Sequence, residues 1–136
     1  MTQKTMWWAL AAAALLLGCA TKQPSLRGTP ASPDSVGEVR TAPAPNDQTQ
    51  LTVTVYNLPK PQIVAHDATM YIAWAKPSKE SGQPQKLGQL SVDEGEVGTM
   101  QVTTPLRDFD LIITAEAPDS EGMRGEPVVT GHVARD

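Results

Sequence analysis

One cysteine, Cys19, stands in the whole chain, so no internal disulfide can form and any fold must be held by packing. Aromatic residues are few: three tryptophans, two tyrosines and one phenylalanine. With Trp7 and Trp8 close to the start, Trp74, Tyr56, Tyr71 and Phe109 are left for a small core. Lysine and arginine form no cluster and the formal net charge is −4, which argues against a phosphate-tracking surface and a nucleic-acid partner. Histidine is scarce as well, at His66 and His132. A zinc site takes three or four ligands, and two distant histidines do not suggest one. Their nearest acids in sequence, Asp67 and Asp136, are ordinary neighbours, the serines are scattered, and Cys19 has another use. These shortages read as a non-enzyme without a cofactor.

A membrane-spanning run is also lacking. Met6–Leu17 is uninterrupted and apolar, but it falls short of the roughly 20 residues that cross a hydrocarbon core. That length, after Lys4, fits the apolar region of a signal peptide. The run ends in Leu16-Leu17-Gly18-Cys19, which resembles the lipobox of bacterial lipoproteins. The resemblance implies cleavage between Gly18 and Cys19 and lipid on the Cys19 thiol and amino group. Two or more acyl chains give stable anchoring, at about 0.8 kcal/mol per buried CH₂. Residues 1–18 are therefore read as signal peptide. Their removal takes Lys4 and no acid, which moves the net charge from −4 to −5. The membrane is the expected partner through that lipid, on the outer side of the cytoplasmic membrane or on an outer membrane. In cells with two membranes, Ala20 after the cysteine favours the outer one.

Residues 19–49 recur in Pro, Thr, Ser, Ala and Gly without apolar periodicity, with Pro24, Pro30, Pro33, Pro43 and Pro45 spread along them. Such composition does not offset its ordering entropy, so a disordered tether is expected. About 29 residues rising about 3.1 Å each in a polyproline II conformation would hold a domain several tens of ångströms from the bilayer.

From residue 50 to 136 the pattern changes. Leu51-Thr52-Val53-Thr54-Val55-Tyr56 alternates with period two, the mark of a half-buried strand, and Pro59 and Pro61 break it. Further strands are predicted at Thr69–Ala75, Lys86–Val92, Val97–Thr103, Phe109–Ala117 and Val128–Val133. Six short strands without a convincing helix predict an all-β fold, a small antiparallel β-sandwich of Ig-like type, with an open barrel as the alternative.

The landmarks of this segment resemble the extracytoplasmic C-terminal domain of the anti-sigma-K factor family. The resemblance rests on the Leu-Pro turn that ends the first strand, at Leu58-Pro59, and on Tyr71-Ile72-Ala73-Trp74. It continues through Leu87-Gly88-Gln89-Leu90 and Leu111-Ile112-Ile113-Thr114-Ala115-Glu116. Gly122, Gly125 and Pro127-Val128-Val129-Thr130-Gly131 complete it. It implies a β-sandwich that senses or binds a protein, and no ligand-contact residues carry over. The family's cytoplasmic sigma-binding domain and spanning helix have no counterpart here, so direct sequestration of a sigma factor is not expected.

Tyr71 and Trp74 have two readings, as core aromatics or as a partner-binding pair. Three apart in a strand, they point to opposite faces, so one can fill the core while the other is exposed. Asp93-Glu94-Gly95-Glu96, Asp108-Phe109-Asp110 and Asp119-Ser120-Glu121 offer oxygen ligands of the kind calcium takes, or simply cap turns. The function expected is a membrane-anchored, non-catalytic binding or sensing module with an envelope protein as partner. The alternative is a structural envelope lipoprotein with no sensing role. An exposed apolar patch favours the first and a uniformly polar surface the second.

Overall fold

Leu51, Val53 and Val55 are fully buried while Thr52, Thr54 and Tyr56 face outward, so the alternation read in the sequence is the alternation of a strand with one core face. This strand is β3 (Gln48–Tyr56) in a computed structural model that describes residues 25–78, 83–119 and 121–135. The other strands are β1 (Ser25–Gly28), β2 (Val36–Ala44), β4 (Met70–Pro77), β5 (Gln85–Val92), β6 (Gly98–Thr104), β7 (Asp108–Glu116) and β8 (Pro127–Ala134). One helical turn, α1 (Pro61–Val64), is the only α-helix among the described residues. The six strands expected from residue 50 onward all form, in antiparallel pairing.

The strands close into one barrel in the order β1-β2-β3-β6-β5-β4-β7-β8. This refines the expected sandwich, and the cause lies in the segment read as a tether. Residues 25–49 are not a disordered linker: they supply β1 and β2, which bridge β3 on one side and β8 on the other. Without them the remaining six strands would be an open sheet with edges at β3 and β8. The ring is thin at two opposite seams. Among the described residues, Arg27↔Thr130 and Gly28↔Val129 join β1 to β8, while Ser91↔Thr99 and Val92↔Gly98 join β5 to β6. Two four-stranded halves therefore face each other across the core, which is why sandwich and barrel readings lie close together.

The sparse apolar residues of the N-terminal segment are placed where they count. Leu26 and Val39 are fully buried with the main core. The turn between β1 and β2 is sewn to the domain: Thr29 Oγ1 donates to the Pro127 carbonyl at 2.6 Å, and Ser35 Oγ donates to the Asn57 carbonyl at 2.8 Å. Pro43, which lacks a ladder donor, sits in the part of β2 beyond Glu38, where β3 is the one ladder neighbour among the described residues. Asn46 and Asp47 both hold positive φ, the geometry of a tight type I′ hairpin turn, and close β2 onto β3. Gly131 is required where β1 meets β8, because a Cβ there would lie 2.7 Å from the Ser25 carbonyl oxygen.

Side chains fill the barrel. Tyr71, Phe109, Leu111, Ile113, Val128, Val129 and Val133 are all buried in one cluster, as expected for an eight-stranded barrel whose interior has room only for its own residues. The two connections that are not hairpins cross opposite ends. Residues 57–69, with α1 and the buried Leu58 and Ala68, cross one end, and residues 105–107, with the half-buried Leu106, cross the other. We call these the α1 end and the Asp47 end, after the β2–β3 turn that also lies at the latter. The barrel interior is filled by apolar side chains, unlike the polar interior of a lipid-embedded barrel.

The N-terminal strands can be tested directly. Leu26→Ala in a chain beginning at residue 20 should lower stability by about 2–5 kcal/mol in urea unfolding, the range for truncating a buried leucine. A change within about 0.5 kcal/mol, as for an exposed linker residue, would mean that this segment is not part of the core.

Candidate binding face

The outward side of β2 and β3 begins, at the α1 end, with a directly opposed pair, Val36 and Tyr56. Their relative exposures are 48% and 45%, and together with Ile63 of α1, at 72%, they are the large apolar side chains left in water among the described residues. The phase of the strand puts Tyr56 there, since Leu51, Val53 and Val55 take the inward positions. Below the pair come Glu38 opposite Thr54 and Arg40 opposite Thr52. Glu38, Arg40, Thr52, Thr54 and Tyr56 line a cleft of about 270 Å³. Glu38 Oε1 is buried there and has no hydrogen-bond partner among the described residues. An exposed apolar pair at the edge of this cleft is suited to a partner that brings an apolar group. Further round, Thr99, Gln101 and Thr103 of β6 extend a neutral, hydroxyl- and amide-bearing surface.

Tyr71 and Trp74 do lie on opposite faces of β4, but neither ring is exposed. Tyr71 is inside the barrel with no exposed surface, and its hydroxyl donates to the Pro59 carbonyl at 2.6 Å, fixing the crossing that carries α1. Burial, with Glu96 nearby, pushes its pKa up to about 12, so it stays a neutral donor. Trp74 is on the outer face yet only 4% exposed. Its indole N–H donates to Thr114 Oγ1 at 2.8 Å, and the Thr114 hydroxyl in turn donates to Glu116 Oε2 at 2.5 Å. Glu116, itself buried, accepts the backbone N–H groups of Arg124 and Gly125 at 3.1 and 3.0 Å. This chain of bonds ties Arg124 and Gly125 to the end of β7. Gly125 is needed there because a Cβ would lie 2.3 Å from the Ala115 carbonyl oxygen. Both aromatics are buried, Tyr71 inside the barrel and Trp74 on its outer face.

A cleft of about 430 Å³ opens beside this clamp, lined by His66, Asp67, Glu116, Asp119, Arg124 and Gly125 among others. Glu116 faces it with its oxygens already engaged by the loop, so its role is structural. His132 points outward on β8, as its position in the alternation implies, and its partners among the described residues come from β7; Asp136 lies outside them. Nδ1 lies 2.9 Å from Asp110 Oδ1 and Nε2 lies 2.9 Å from Asp108 Oδ1. The hydrogen bond to Asp110 raises the His132 pKa above its ordinary value against a lowering by burial, and the charges of Asp108 and Asp110 add to the rise. Asp108 also accepts from Ser78 Oγ at 2.9 Å. Of the acidic runs weighed for calcium, Asp93 caps its own turn, with Oδ1 accepting Gly95 N–H at 2.8 Å and Val97 N–H at 3.0 Å. It lies at the α1 end, whereas Asp108 lies at the Asp47 end. Among the described residues no group of three or more His, Cys, Asp or Glu is arranged to hold a metal ion.

Gly18 and Cys19, the expected cleavage and lipidation residues, lie outside the described residues. No helix among those described is long and apolar enough to cross a membrane. No protein-family model matches the chain, and no curated protein matches it either.

Two outcomes follow from this geometry. Glu116→Ala leaves the Arg124 and Gly125 N–H groups and the Thr114 hydroxyl without their acceptor. It should cost about 1–3 kcal/mol in urea unfolding and shift Trp74 emission in a chain lacking residues 1–18. An unchanged spectrum and midpoint would refute the clamp. For His132, the folded pKa is raised, so the stability it contributes is fully present below about pH 6.5 and is lost as pH rises through the folded value. The groups are more than a third exposed, so the effect is small, but NMR titration should place His132 above its ordinary value. The double change Asp108→Asn with Asp110→Asn should return it to that value; a titration unmoved by the double change would sink the assignment.

Proposed function

We propose that the chain is an envelope lipoprotein, anchored through lipid on Cys19, whose barrel is a non-catalytic binding or sensing module for another envelope protein. The observation that carries this reading is the exposed Val36–Tyr56 pair at the edge of the cleft lined by Glu38. A cross-strand apolar pair left in water costs hydration free energy that a partner recovers on covering it. The resemblance of residues 51–133 to the outer domain of anti-sigma-K factors supports the same class of role, sensing or protein binding outside the cytoplasm. In that reading the lipobox-like Leu16-Leu17-Gly18-Cys19 directs export and anchoring, with Ala20 favouring the outer membrane where the cell has one.

A structural role without sensing is the second reading. It is favoured by the neutral threonine and glutamine surface of β3 and β6, which offers few anchors for a specific contact.

Site-specific photocrosslinking in cells separates the two. A photoreactive residue at Tyr56 should capture one dominant protein, and the same residue at Gln101 should not. Val36→Ser in the Tyr56 crosslinker background should cut that product about tenfold or more, as for loss of an interface anchor. Equal, diffuse products from both positions would leave the structural reading in its place.

A further inference from the structure

We infer that the barrel rests directly on the lipid headgroups, with its Asp47 end toward the bilayer and its α1 end, bearing Val36 and Tyr56, turned away. The inference rests on the proposed lipidation of Cys19 and deepens it by fixing distance and orientation.

The distance follows from covalent length. The first strand begins at Ser25, so six residue steps separate it from Cys19. Six residues span at most about 20 Å, however they are arranged. A nine-residue strand such as β2 rises roughly 30 Å, so the anchor is shorter than the barrel is tall. A domain standing several tens of ångströms off the membrane is out of reach.

The orientation follows from β1. Ser25 pairs with Glu38, and β1 runs from there toward Val36 and the α1 end. A chain that continues the line of β1 before Ser25 would therefore leave toward the Asp47 side. Ala44, at the Asp47 rim, lies six residues beyond Glu38, roughly 20 Å along β2. An anchor of about 20 Å reaching that way ends level with the rim, which leaves no clearance between rim and headgroups. The opposite orientation would require the chain to reverse at Ser25 itself.

The chemistry of the two ends agrees. The Asp47 end carries charged groups engaged with one another: Arg107 with Asp47, Arg135 with Asp47 and Thr49, and His132 with Asp108 and Asp110. Charged groups of both signs suit the polar headgroup layer. The large exposed apolar side chains, Val36, Tyr56 and Ile63, are all at the α1 end.

Strand β5 provides a ruler, since Gln85 starts it at the Asp47 end and Glu94 lies in the turn just past its other end, both exposed. The full chain, expressed in bacteria with Gln85→Cys or Glu94→Cys, would first be weighed to establish lipid on Cys19. Each new thiol would then carry a coumarin donor. The protein would be reconstituted in phosphatidylethanolamine–phosphatidylglycerol vesicles containing rhodamine-headgroup lipid. Energy transfer should place the Gln85 dye near the surface and the Glu94 dye roughly 20–30 Å farther out. Inserting about 25 Gly-Ser residues between Gln23 and Pro24 should release both dyes to larger and similar distances. With lipid on Cys19 established by mass, equal distances, a nearer Glu94 dye, or no change on inserting the spacer would overturn the inference while leaving anchoring intact. An unmodified Cys19 would remove the anchoring reading and this inference together.

Discussion

The structure depends on the closure of its ring at β1. That strand is four residues long, yet it joins β2 to β8 and turns a seven-stranded open sheet into a barrel. An open sheet would present the unpaired backbone groups of β2 and β8 as templates for association. Closure is possible because Gly131 lets β8 approach the Ser25 backbone and the Leu26 side chain, which then enters the core with no exposed surface. A single large-to-small change at Leu26 or a side chain at position 131 bears on every strand, since each is held from both sides only while the ring is shut.

The six later strands were legible because each buries one face and so shows alternation or a β-branched run, as at Leu51–Tyr56 and Leu111–Thr114. The first two were not. In Val36–Ala44 the inward positions are Gly37, Val39, Thr41 and Pro43, of which Val39 alone is a buried aliphatic side chain. Prolines at 30, 33, 43 and 45 look like linker punctuation, whereas here they occupy turns and a strand edge where no ladder donor is needed. Composition recorded the low apolar content correctly. It did not record that two sparse strands are enough when the rest of a barrel is already waiting for them.

The candidate face was half legible. Tyr56 stands in the outward phase of a strand that the alternation marks clearly, so its exposure followed from Leu51, Val53 and Val55. Val36 could be placed beside it only through the β2–β3 register, which depends on the Asn46-Asp47 turn inside the supposed tether. The same is true of His132. Its partners Asp108 and Asp110 are more than twenty residues away and meet it only because β7 and β8 pair at Asp110↔His132. Trp74 needed the opposite information: an outward position in β4 ordinarily means exposure, yet it is buried there, its indole N–H held by Thr114, which in turn bonds Glu116.

Folding residues 25–49 into the barrel also changes what an anchor at Cys19 means. A long tether makes a lipid-anchored domain free to search for partners in many orientations, and its surface then has no preferred side. A link of six residues removes that freedom. In the proposed anchored state, proximity to the bilayer would confine one end and concentrate contacts at the other, so that a modest apolar pair such as Val36–Tyr56 would be presented in a fixed direction. Part of the orientational entropy of a meeting with a second envelope protein is then lost before binding, which lets a small contact serve where a freely tumbling domain would need a larger one.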